Sequence, residues 1–396
     1  MKEVDVIVPI YKGQCYINGI ISQLERCAEK SSKIAEIRLI LVNDDPADSF
    51  LNNFWSEKID ILMIETNQNR GIHGARVEGL SHCKGDYVIF LDQDDKIYPD
   101  YFRSQLNKLR DSDAVICRAI NGRRQFYDYD RQFEELTSYK YLFSAGNGIL
   151  SPGQVLIRRK AIPQFWEENI LQNNGADDWM LWLCMMYEGR HFARNQNVLY
   201  EHVLNSENCS ESTFKMYQSE KNMYELLERS KYFDREHLGM ILQAIYHGLN
   251  ARLKELDKLK RTIDVYDMWL MAHMKNESIG AFLKSEGYHK VAIYGMGKIG
   301  MRLYQEIQSH VEVKCFIDRN AAFLQADIPV YTIEAAIPSV DLVLISLIDK
   351  EKKIFQDISS VISDTVTIKE IEDVLRSMIV TEQNMVEMSS TSGQEN

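Results

Sequence analysis

The first 120 residues alternate between short apolar segments and segments with helical spacing, and this alternation restricts the fold more than any other feature. The apolar segments predict strands at residues 4–10, 37–43, 59–65, 87–91 and 113–119. Apolar side chains recur at helical spacing in the segments between them, at residues 14–29, 71–83 and 99–110. Strands joined by helices of this length predict an α/β fold with a mostly parallel sheet covered on both faces.

The strand at residues 87–91 ends abruptly in three carboxylates, Asp92, Asp94 and Asp95. In open α/β sheets, ligands bind outside the carboxyl ends of the strands. Asp92 and Asp94 point the same way if the extended geometry continues, so both can reach one cation. Carboxylates suit Mg²⁺ or Mn²⁺, which are commonly shared with substrate phosphates. A bare D-x-D is more typical of a solvated acidic turn, so its interpretation depends on the other strand ends.

The other strand ends also carry side chains suited to a ligand. The first strand ends in Pro9-Ile10-Tyr11 and the second in Asn43-Asp44-Asp45, and neither is followed by G-x-G-x-x-G. These ends favour a nucleotide whose base contacts Tyr11 and Asp44 and whose phosphates contact a metal. On its own, Asp44 is also typical of a turn or a helix cap.

Four segments resemble the family 2 glycosyltransferases in order and spacing: VPIYK (8–12), VNDDPAD (42–48), NRGIHGARVEG (69–79) and GDYVIFLDQDD (85–95). The resemblance covers roughly residues 3–210. It implies the GT-A fold, an inverting mechanism and a nucleotide-sugar donor bound through a D-x-D motif and a divalent metal. One departure is that V-D-D-G-S in the family becomes V-N-D-D-P here, so Asp45 replaces a glycine of the turn.

The resemblance also implies roles for donor-binding residues. Pro9 and Tyr11 would flank the nucleobase, and Asp44 would accept a hydrogen bond from its imide nitrogen. Arg76 would lie near the donor diphosphate or stabilise its loop, although an arginine in a predicted helix is also typical of a surface position. Asp92 would contact the ribose or the metal.

The metal site implied by the resemblance, for Mg²⁺ or Mn²⁺, contains Asp94 as the principal ligand together with Asp92. His202 follows a later apolar segment, and in many family members a histidine there reaches the metal or the diphosphate. A lone histidine is otherwise typical of a packed or surface residue. Asp95 is not needed for the metal, and bracing the loop or capping the next helix accounts for it.

An acidic pair, Asp177 and Asp178, opens a dense apolar segment at residues 179–186. The helix dipole favours acids in a first turn, so capping alone explains one of them. The family has an acidic pair here whose second member is the general base, which implies Asp178 as the catalytic residue. A single displacement needs one carboxylate that removes the proton of the acceptor hydroxyl.

The second half of the chain predicts a helical connector followed by a small Rossmann-like domain. Residues 213–286 show helical spacing without strand signals, as expected for helices that cover the catalytic domain or mediate self-association. Residues 290–300, KVAIYGMGKIG, place Gly295, Gly297 and Gly300 between a strand and a helix, and Asp318 ends the next strand. This context fits a dinucleotide site for NAD(P), but the same glycine turn also serves pure helix–strand packing. The segment resembles the small Rossmann modules of bacterial polysaccharide-biosynthesis proteins.

Composition restricts the partners and the compartment. The net charge of −12 argues against a non-specific nucleic-acid binder and against broad attraction to anionic lipid. Seven cysteines without C-x-x-C spacing, no signal-peptide pattern and no apolar run long enough to span a bilayer predict a cytoplasmic protein, including the inner face of the membrane. The predicted boundaries are 1–212 for the transferase domain, 213–286 for the connector, 287–378 for the Rossmann-like domain and 379–396 for a disordered polar tail.

The leading hypothesis is an inverting, metal-assisted glycosyltransferase of the hexosyltransferase type. It would move a sugar from a nucleotide donor, UDP-linked in the first instance, to a hydroxyl of a glycan or lipid-linked glycan. The alternative is an NAD(P)-dependent sugar-nucleotide oxidoreductase that uses the C-terminal domain. A catalytically silent nucleotide-sugar sensor is a third possibility, which the intact acids Asp92, Asp94 and Asp178 disfavour.

Overall fold

The computed structural model describes residues 1–122, 124–125, 127, 130–203, 212–274, 277–348, 353–363 and 365–379. The chain divides into two compact units, residues 1–252 and residues 253–396. The predicted tail lies outside the described residues from residue 380 onward.

The described part of the first unit is built on a nine-stranded sheet. Its strands are β1 (Lys2–Ile10), β2 (Ala35–Asn43), β3 (Asp60–Glu65), β4 (Tyr87–Phe90), β5 (Lys96–Ile97), β6 (Ala114–Asn121), β7 (Arg124–Gln125), β8 (Val155–Arg158) and β9 (Phe192–His202). Their order is β3-β2-β1-β4-β8-β6-β9-β5, with β7 paired to β6. The first four strands in this order are parallel, and β8 is antiparallel to both β4 and β6. The sheet is therefore mixed, and the α/β fold class is confirmed.

Helices cover this sheet. They are α1 (Ile17–Ser31), α2 (Gly71–Ser81), α3 (Tyr101–Leu109), α4 (Asp130–Glu135), α5 (Tyr139–Ser144), α6 (Gln164–Glu168), α7 (Asp177–Tyr187), α8 (Thr213–Ser230) and α9 (Arg235–Met274), the last of which continues into the second unit. Helix α1 buries Ile17, Ile20, Ile21, Leu24 and Cys27, the residues whose spacing predicts it. Strand β4 is buried along its whole length, as expected for a central strand with helices on both faces.

The parallel strands bring the candidate residues together at one edge. Ile10 pairs with Asn43, and Ile7 pairs with Phe90, so β1, β2 and β4 end side by side. The backbone N–H of Asp44 donates to the carbonyl of Ile10 at 2.8 Å, just beyond these ends. Residues that follow the three strands therefore share the carboxyl edge of the sheet, where α/β proteins bind ligands.

The second unit contains a five-stranded sheet that is parallel throughout. Its strands are β10 (Lys290–Tyr294), β11 (Glu312–Ile317), β12 (Val330–Tyr331), β13 (Leu342–Ile345) and β14 (Thr367–Glu370), in the order β12-β11-β10-β13-β14. Its helices are α10 (Ile279–Ser285), α11 (Lys298–Ile307), α12 (Lys353–Ser359) and a segment at 371–379. A central first strand with a chain that winds outward to both sides is the arrangement of doubly wound folds.

The residues predicted as a connector do not form a compact unit of their own. The helical residues 213–252 belong to the first unit, where Met223, Leu227 and Ile241 lie in its hydrophobic core. The later residues belong to the second unit, where Val265 and Trp269 are buried. In the part of the chain that the structure describes, no helix is both long enough and apolar enough to cross a bilayer.

Candidate active site

A cavity of about 1110 Å³ opens at the carboxyl edge of the first sheet. All the residues predicted for the donor, the metal and the general base line it: Pro9, Tyr11, Asp44, Arg76, Asp92, Asp94, Asp178 and His202. They come from six separate segments of the chain, and the fold brings them to one place.

Tyr11 and Gln93 join the end of β1 to the middle of the D-x-D motif. The backbone N–H of Tyr11 donates to Oε1 of Gln93 at 3.1 Å, and Nε2 of Gln93 donates back to the carbonyl of Tyr11 at 3.2 Å. The Tyr11 side chain itself is 46% exposed, so its ring is accessible to a ligand. Sequence reasoning missed Gln93, which occupies the variable position of the motif.

Asp44 is buried, and its carboxylate holds the segment that leads into α2. It accepts a hydrogen bond from the backbone N–H of Arg70 at 2.7 Å and from the Thr66 hydroxyl at 3.4 Å. Burial raises the pKa of Asp44, and the N–H groups of Arg70 and Gly71 oppose that rise. The carboxylate thus has a structural contact in addition to its predicted contact with a nucleobase.

Arg76 on α2 links two acids that are far apart in sequence. Its guanidinium is buried, with Nη1 at 2.5 Å from Oδ2 of Asp177 and Nη2 at 2.5 Å from Oδ1 of Asp92. A buried arginine needs such partners because an isolated buried charge is strongly unfavourable. Of the two roles predicted for Arg76, these contacts correspond to stabilisation of the site. The alternative prediction, that Arg76 lies at an exposed position of the helix, is wrong.

The three acids of the D-x-D segment have different surroundings. Asp92 also accepts from the Ser151 hydroxyl at 3.1 Å, and burial raises its pKa while Arg76 opposes the rise. Asp94 lines the cavity. Asp95 is fully buried and binds the end of β9. There it accepts from the Tyr200 hydroxyl and the backbone N–H of Val203, and its Oδ1 lies 3.0 Å from Nδ1 of His202.

These contacts bear on whether the site can hold a metal. Within the described residues, no group of three or more His, Cys, Asp or Glu side chains is arranged as a metal cluster. Mg²⁺ commonly takes one or two carboxylates and completes its shell with substrate phosphates and water, so a small donor set suffices. Asp94 and His202 both line the cavity, and the contact of His202 with Asp95 is the carboxylate–histidine pattern that orients metal-binding imidazoles. The residues therefore fit a divalent ion shared with a diphosphate.

Asp178 lies in the first turn of α7 and has the properties of a general base. Burial, followed by the neighbouring carboxylate of Asp177, raises the pKa of Asp178 to about 7, and Arg76 opposes the rise. Its Oδ2 accepts from Nδ2 of Asn147 at 2.9 Å. Oδ1 of Asn147 accepts in turn from the backbone N–H of Ile149 at 3.1 Å, which fixes the orientation of the amide. A base with a pKa near neutrality is well matched to proton transfer at physiological pH.

Two residues outside the predicted set support the loop before α7. The buried Ser219 on α8 accepts from the backbone N–H of Ala176 at 3.0 Å and donates to the carbonyl of Asn173 at 2.9 Å. Oδ1 of Asn174 accepts from the backbone N–H of Ile72 at 3.0 Å, at the start of α2. Sequence reasoning missed both, because a serine in a helix and an asparagine in a loop are ordinary there.

In the second unit, the predicted glycine turn is formed between β10 and α11. Gly295 has φ of +94°, and a Cβ on Gly300 would lie 2.0 Å from the carbonyl oxygen of Gly295. Asp318 accepts from the backbone N–H groups of Met296 and Asn320, each at 2.9 Å. These contacts account for Gly295, Gly300 and Asp318 through packing and loop support. A Cβ on Gly297 would meet nothing within 4 Å.

Comparison with known proteins supports the interpretation of the first unit. Residues 5–166 match the profile of Glycosyl transferase family 2. An uncharacterized glycosyltransferase of Haemophilus influenzae is 28% identical over 265 residues, which cover 63% of this chain and 96% of that protein. The minor teichoic acid biosynthesis protein GgaB of Bacillus subtilis is 32% identical over 105 residues, 26% of this chain and 11% of that protein.

Among solved structures, S. aureus TarS 1–349 in complex with UDP-GlcNAc aligns with a TM-score of 0.47 and 15% identity, over 63% of this chain and 72% of that one. The family match ends at residue 166, before the helix that carries Asp178. Residues 5–166 of the first unit are therefore similar to the family 2 glycosyltransferases.

Proposed function

We propose that the first unit transfers a sugar from a nucleoside-diphosphate donor to a hydroxyl acceptor in one inverting step, with Asp178 as the general base. The observation that carries this proposal is that one cavity contains both the acids of the D-x-D motif and a buried carboxylate whose pKa is raised to about 7. A diphosphate leaving group and a hydroxyl nucleophile need these two kinds of group.

The proposed step needs one base and no protein nucleophile. Asp178 accepts the proton of the acceptor hydroxyl as that oxygen forms a bond to the anomeric carbon. The bond from the anomeric carbon to the diphosphate oxygen breaks on the opposite face, and its electron pair leaves with the nucleoside diphosphate. Asn147 holds Oδ2 of Asp178 in position during this transfer.

The donor would lie along the carboxyl edge of the sheet. Pro9 and the exposed ring of Tyr11 would contact the base, Asp44 would accept from its imide, and Asp92 and Arg76 would lie towards the phosphates. A UDP-sugar is the first donor to test. Asp94 and His202 would hold a Mg²⁺ or Mn²⁺ ion, which stabilises the negative charge that develops on the leaving diphosphate.

The acceptor would be a hydroxyl of a glycan or lipid-linked glycan at the cytoplasmic side of the membrane. The name of the Bacillus subtilis relative, a teichoic acid biosynthesis protein, supports a cell-surface polymer as the destination of the sugar.

The decisive experiment combines binding with turnover. We expect UDP with Mn²⁺ to raise the thermal unfolding temperature, and NAD⁺ and NADPH to leave it unchanged. A screen of nucleotide sugars should then identify one that is hydrolysed only when Mn²⁺ is present. Stabilisation by the dinucleotides alone, without hydrolysis of any nucleotide sugar, would contradict the proposal.

A further inference from the structure

A second part of the cavity wall is formed by α8 and the first part of α9. Glu220 on α8 is buried and forms a two-pronged ion pair with Arg252, with Nη2 at 2.6 Å from Oε2 and Nη1 at 3.1 Å from Oε1. Ala244 and Gly248 lie on the same wall and have little or no side chain. A Cβ on Gly248 would meet only the guanidinium of Arg252, at 3.8 Å or more, so the wall is open there.

The cavity has room for a second ligand beside the donor. Its volume of about 1110 Å³ is above the range of roughly 300–1,000 Å³ that is typical for one drug-sized ligand. The residues proposed for the donor follow the sheet strands, whereas the pair of Glu220 and Arg252 belongs to the helices. Asp178 also lines this cavity, as a base must if it serves an acceptor there.

The charges of this wall select against an anionic acceptor. Both Nη groups of Arg252 are already paired with Glu220, and the carboxylates of Glu220 and Asp178 would repel a phosphate or a carboxylate. A sugar hydroxyl can donate to the remaining lone pairs of Glu220 and accept from guanidinium N–H groups. We propose that Glu220 and Arg252 form the acceptor subsite, and that it binds an uncharged sugar residue. This inference rests on the proposed function.

The test uses the nucleotide sugar found in the hydrolysis screen and a panel of p-nitrophenyl glycosides. The neutral glycosides are the glucoside, the galactoside and the N-acetylglucosaminide. The charged probes are the p-nitrophenyl glucuronide and, as a separate acceptor, farnesyl phosphate. We expect transfer to a neutral glycoside, and Glu220→Gln should raise the KM for that glycoside about tenfold. Glu225→Gln is the control, because Glu225 lies on the same helix in an exposed pair with Lys221.

A second variant keeps the test independent of the buried ion pair. Gly248→Leu fills the open wall without removing a hydrogen bond, and it should also raise the KM for the glycoside. Preferential transfer to the glucuronide or to farnesyl phosphate would overturn the proposal. So would an unchanged KM in both variants, or donor hydrolysis without transfer to any neutral glycoside. Failure of the wild-type protein to hydrolyse any nucleotide sugar would instead contradict the proposed function itself.

An independent observation concerns α9 within the second unit, where the helix has two apolar faces. One face buries Val265, Trp269 and Ala272 in the core of that unit. The other face, here called the α9 seam, is between 49% and 78% exposed and consists of Leu253, Leu256, Ile263, Leu270 and Met274. The seam follows the spacing of three and four residues that is typical of a coiled coil, with the exposed Lys260 and Asp267 at its two remaining positions.

Lys260 and Asp267 indicate which partner the α9 seam would bind and whether the two helices would run parallel or antiparallel. In a parallel pair of identical helices, Lys260 would face Lys260 of the partner subunit, and the acids at position 267 would also meet. In an antiparallel pair centred near residue 265, Lys260 would lie within about one helical turn of Asp267 of the partner subunit. We infer that the α9 seam packs against the same seam of a second copy as an antiparallel coiled coil.

Sedimentation of the full chain over a range of concentrations tests this inference. We expect a dimer that Ile263→Glu converts to a monomer. Lys260→Asp alone should weaken the dimer by like-charge repulsion, and adding Asp267→Lys should restore it. A monomer at every concentration, a dimer that Ile263→Glu leaves intact, or a double variant that stays as weak as the single one would overturn the inference. Binding of a monomer to anionic vesicles would do the same.

Discussion

Nη1 of Arg76 lies 2.5 Å from Oδ2 of Asp177, a residue 101 positions later in the chain. The same guanidinium bonds Asp92 at the end of the central strand. One buried cation therefore joins the D-x-D segment to the helix that carries the proposed base. Its charge stabilises the three neighbouring carboxylates of Asp92, Asp177 and Asp178.

Replacement of Arg76 by methionine should leave Asp92 and Asp177 buried without their cation. Removal of one partner of a buried pair typically costs about 3–5 kcal/mol, so we expect a loss of that order in the free energy of unfolding at pH 7. Urea unfolding measures it. Arg38→Met is the control, because Asp5 keeps its bonds to the backbone N–H groups of Lys84 and Gly85 and the cost should be smaller. Equal losses in the two variants would contradict this account.

The rate of transfer should rise with pH through the pKa of Asp178. The base is inactive while protonated, and its pKa is raised to about 7, so kcat/KM should fall about tenfold per pH unit well below that value. The pH profile measured with saturating Mn²⁺ checks this. A rate that stays constant from pH 5 to pH 8 would exclude Asp178 as the titrating base.

Asp178→Asn should lose turnover and gain stability. General-base catalysis is typically worth about 10²–10⁴ in rate, so we expect a loss in that range with donor affinity retained. The folded protein holds this carboxyl at a pKa above its ordinary value of 3.8, so stability falls as pH rises from 3.8 to about 7. Asparagine does not ionise, so the variant keeps its stability as the pH rises. It should therefore unfold at a temperature about 3 °C or more above that of the wild type at pH 8. This gain should shrink at pH 5, and calorimetry at the two values measures it.

His202→Ala should weaken the dependence on metal more than recognition of the base. The imidazole is oriented by Asp95, so Asp95→Asn should shift the Mn²⁺ titration of donor hydrolysis in the same direction. A shift of about tenfold is the scale seen when such supporting carboxylates are removed. The affinity for uridine, measured without metal, serves as the control. Unchanged Mn²⁺ titrations would remove His202 from the metal site.

The glycines of the second unit should differ in their tolerance of a side chain. Gly300→Ala places a Cβ 2.0 Å from a backbone carbonyl and should destabilise this unit by several kcal/mol, whereas Gly297→Ala meets no atom within 4 Å. Alanine at 297 should therefore leave the unfolding temperature nearly unchanged. Comparable destabilisation by both variants would show that the turn is held more tightly than its geometry indicates.

The strands and the residues that follow them were predictable because they depend on local patterns. The apolar run of β4 and the acids after it lie within nine residues, and β10 and its glycine turn lie within eleven. Contacts between distant segments were not predictable from one sequence. Arg76 has the same sequence context as a surface arginine, and nothing around Ser219 indicates a bond to Ala176. The insertion of β8 between β4 and β6 likewise depends on long-range pairing, which local spacing does not encode.

The hydrogen bonds of Ser219 with the loop before α7 determine how much of the chain a transferase fragment must contain. A protein shortened to residue 212, the boundary predicted for the transferase domain, would keep every acid of the D-x-D motif and the base itself. It would lack the hydroxyl that binds Ala176 and Asn173, together with the wall formed by Glu220 and Arg252. The smallest fragment that retains a properly supported base and this wall therefore extends through α8 and into α9, about 40 residues beyond residue 212.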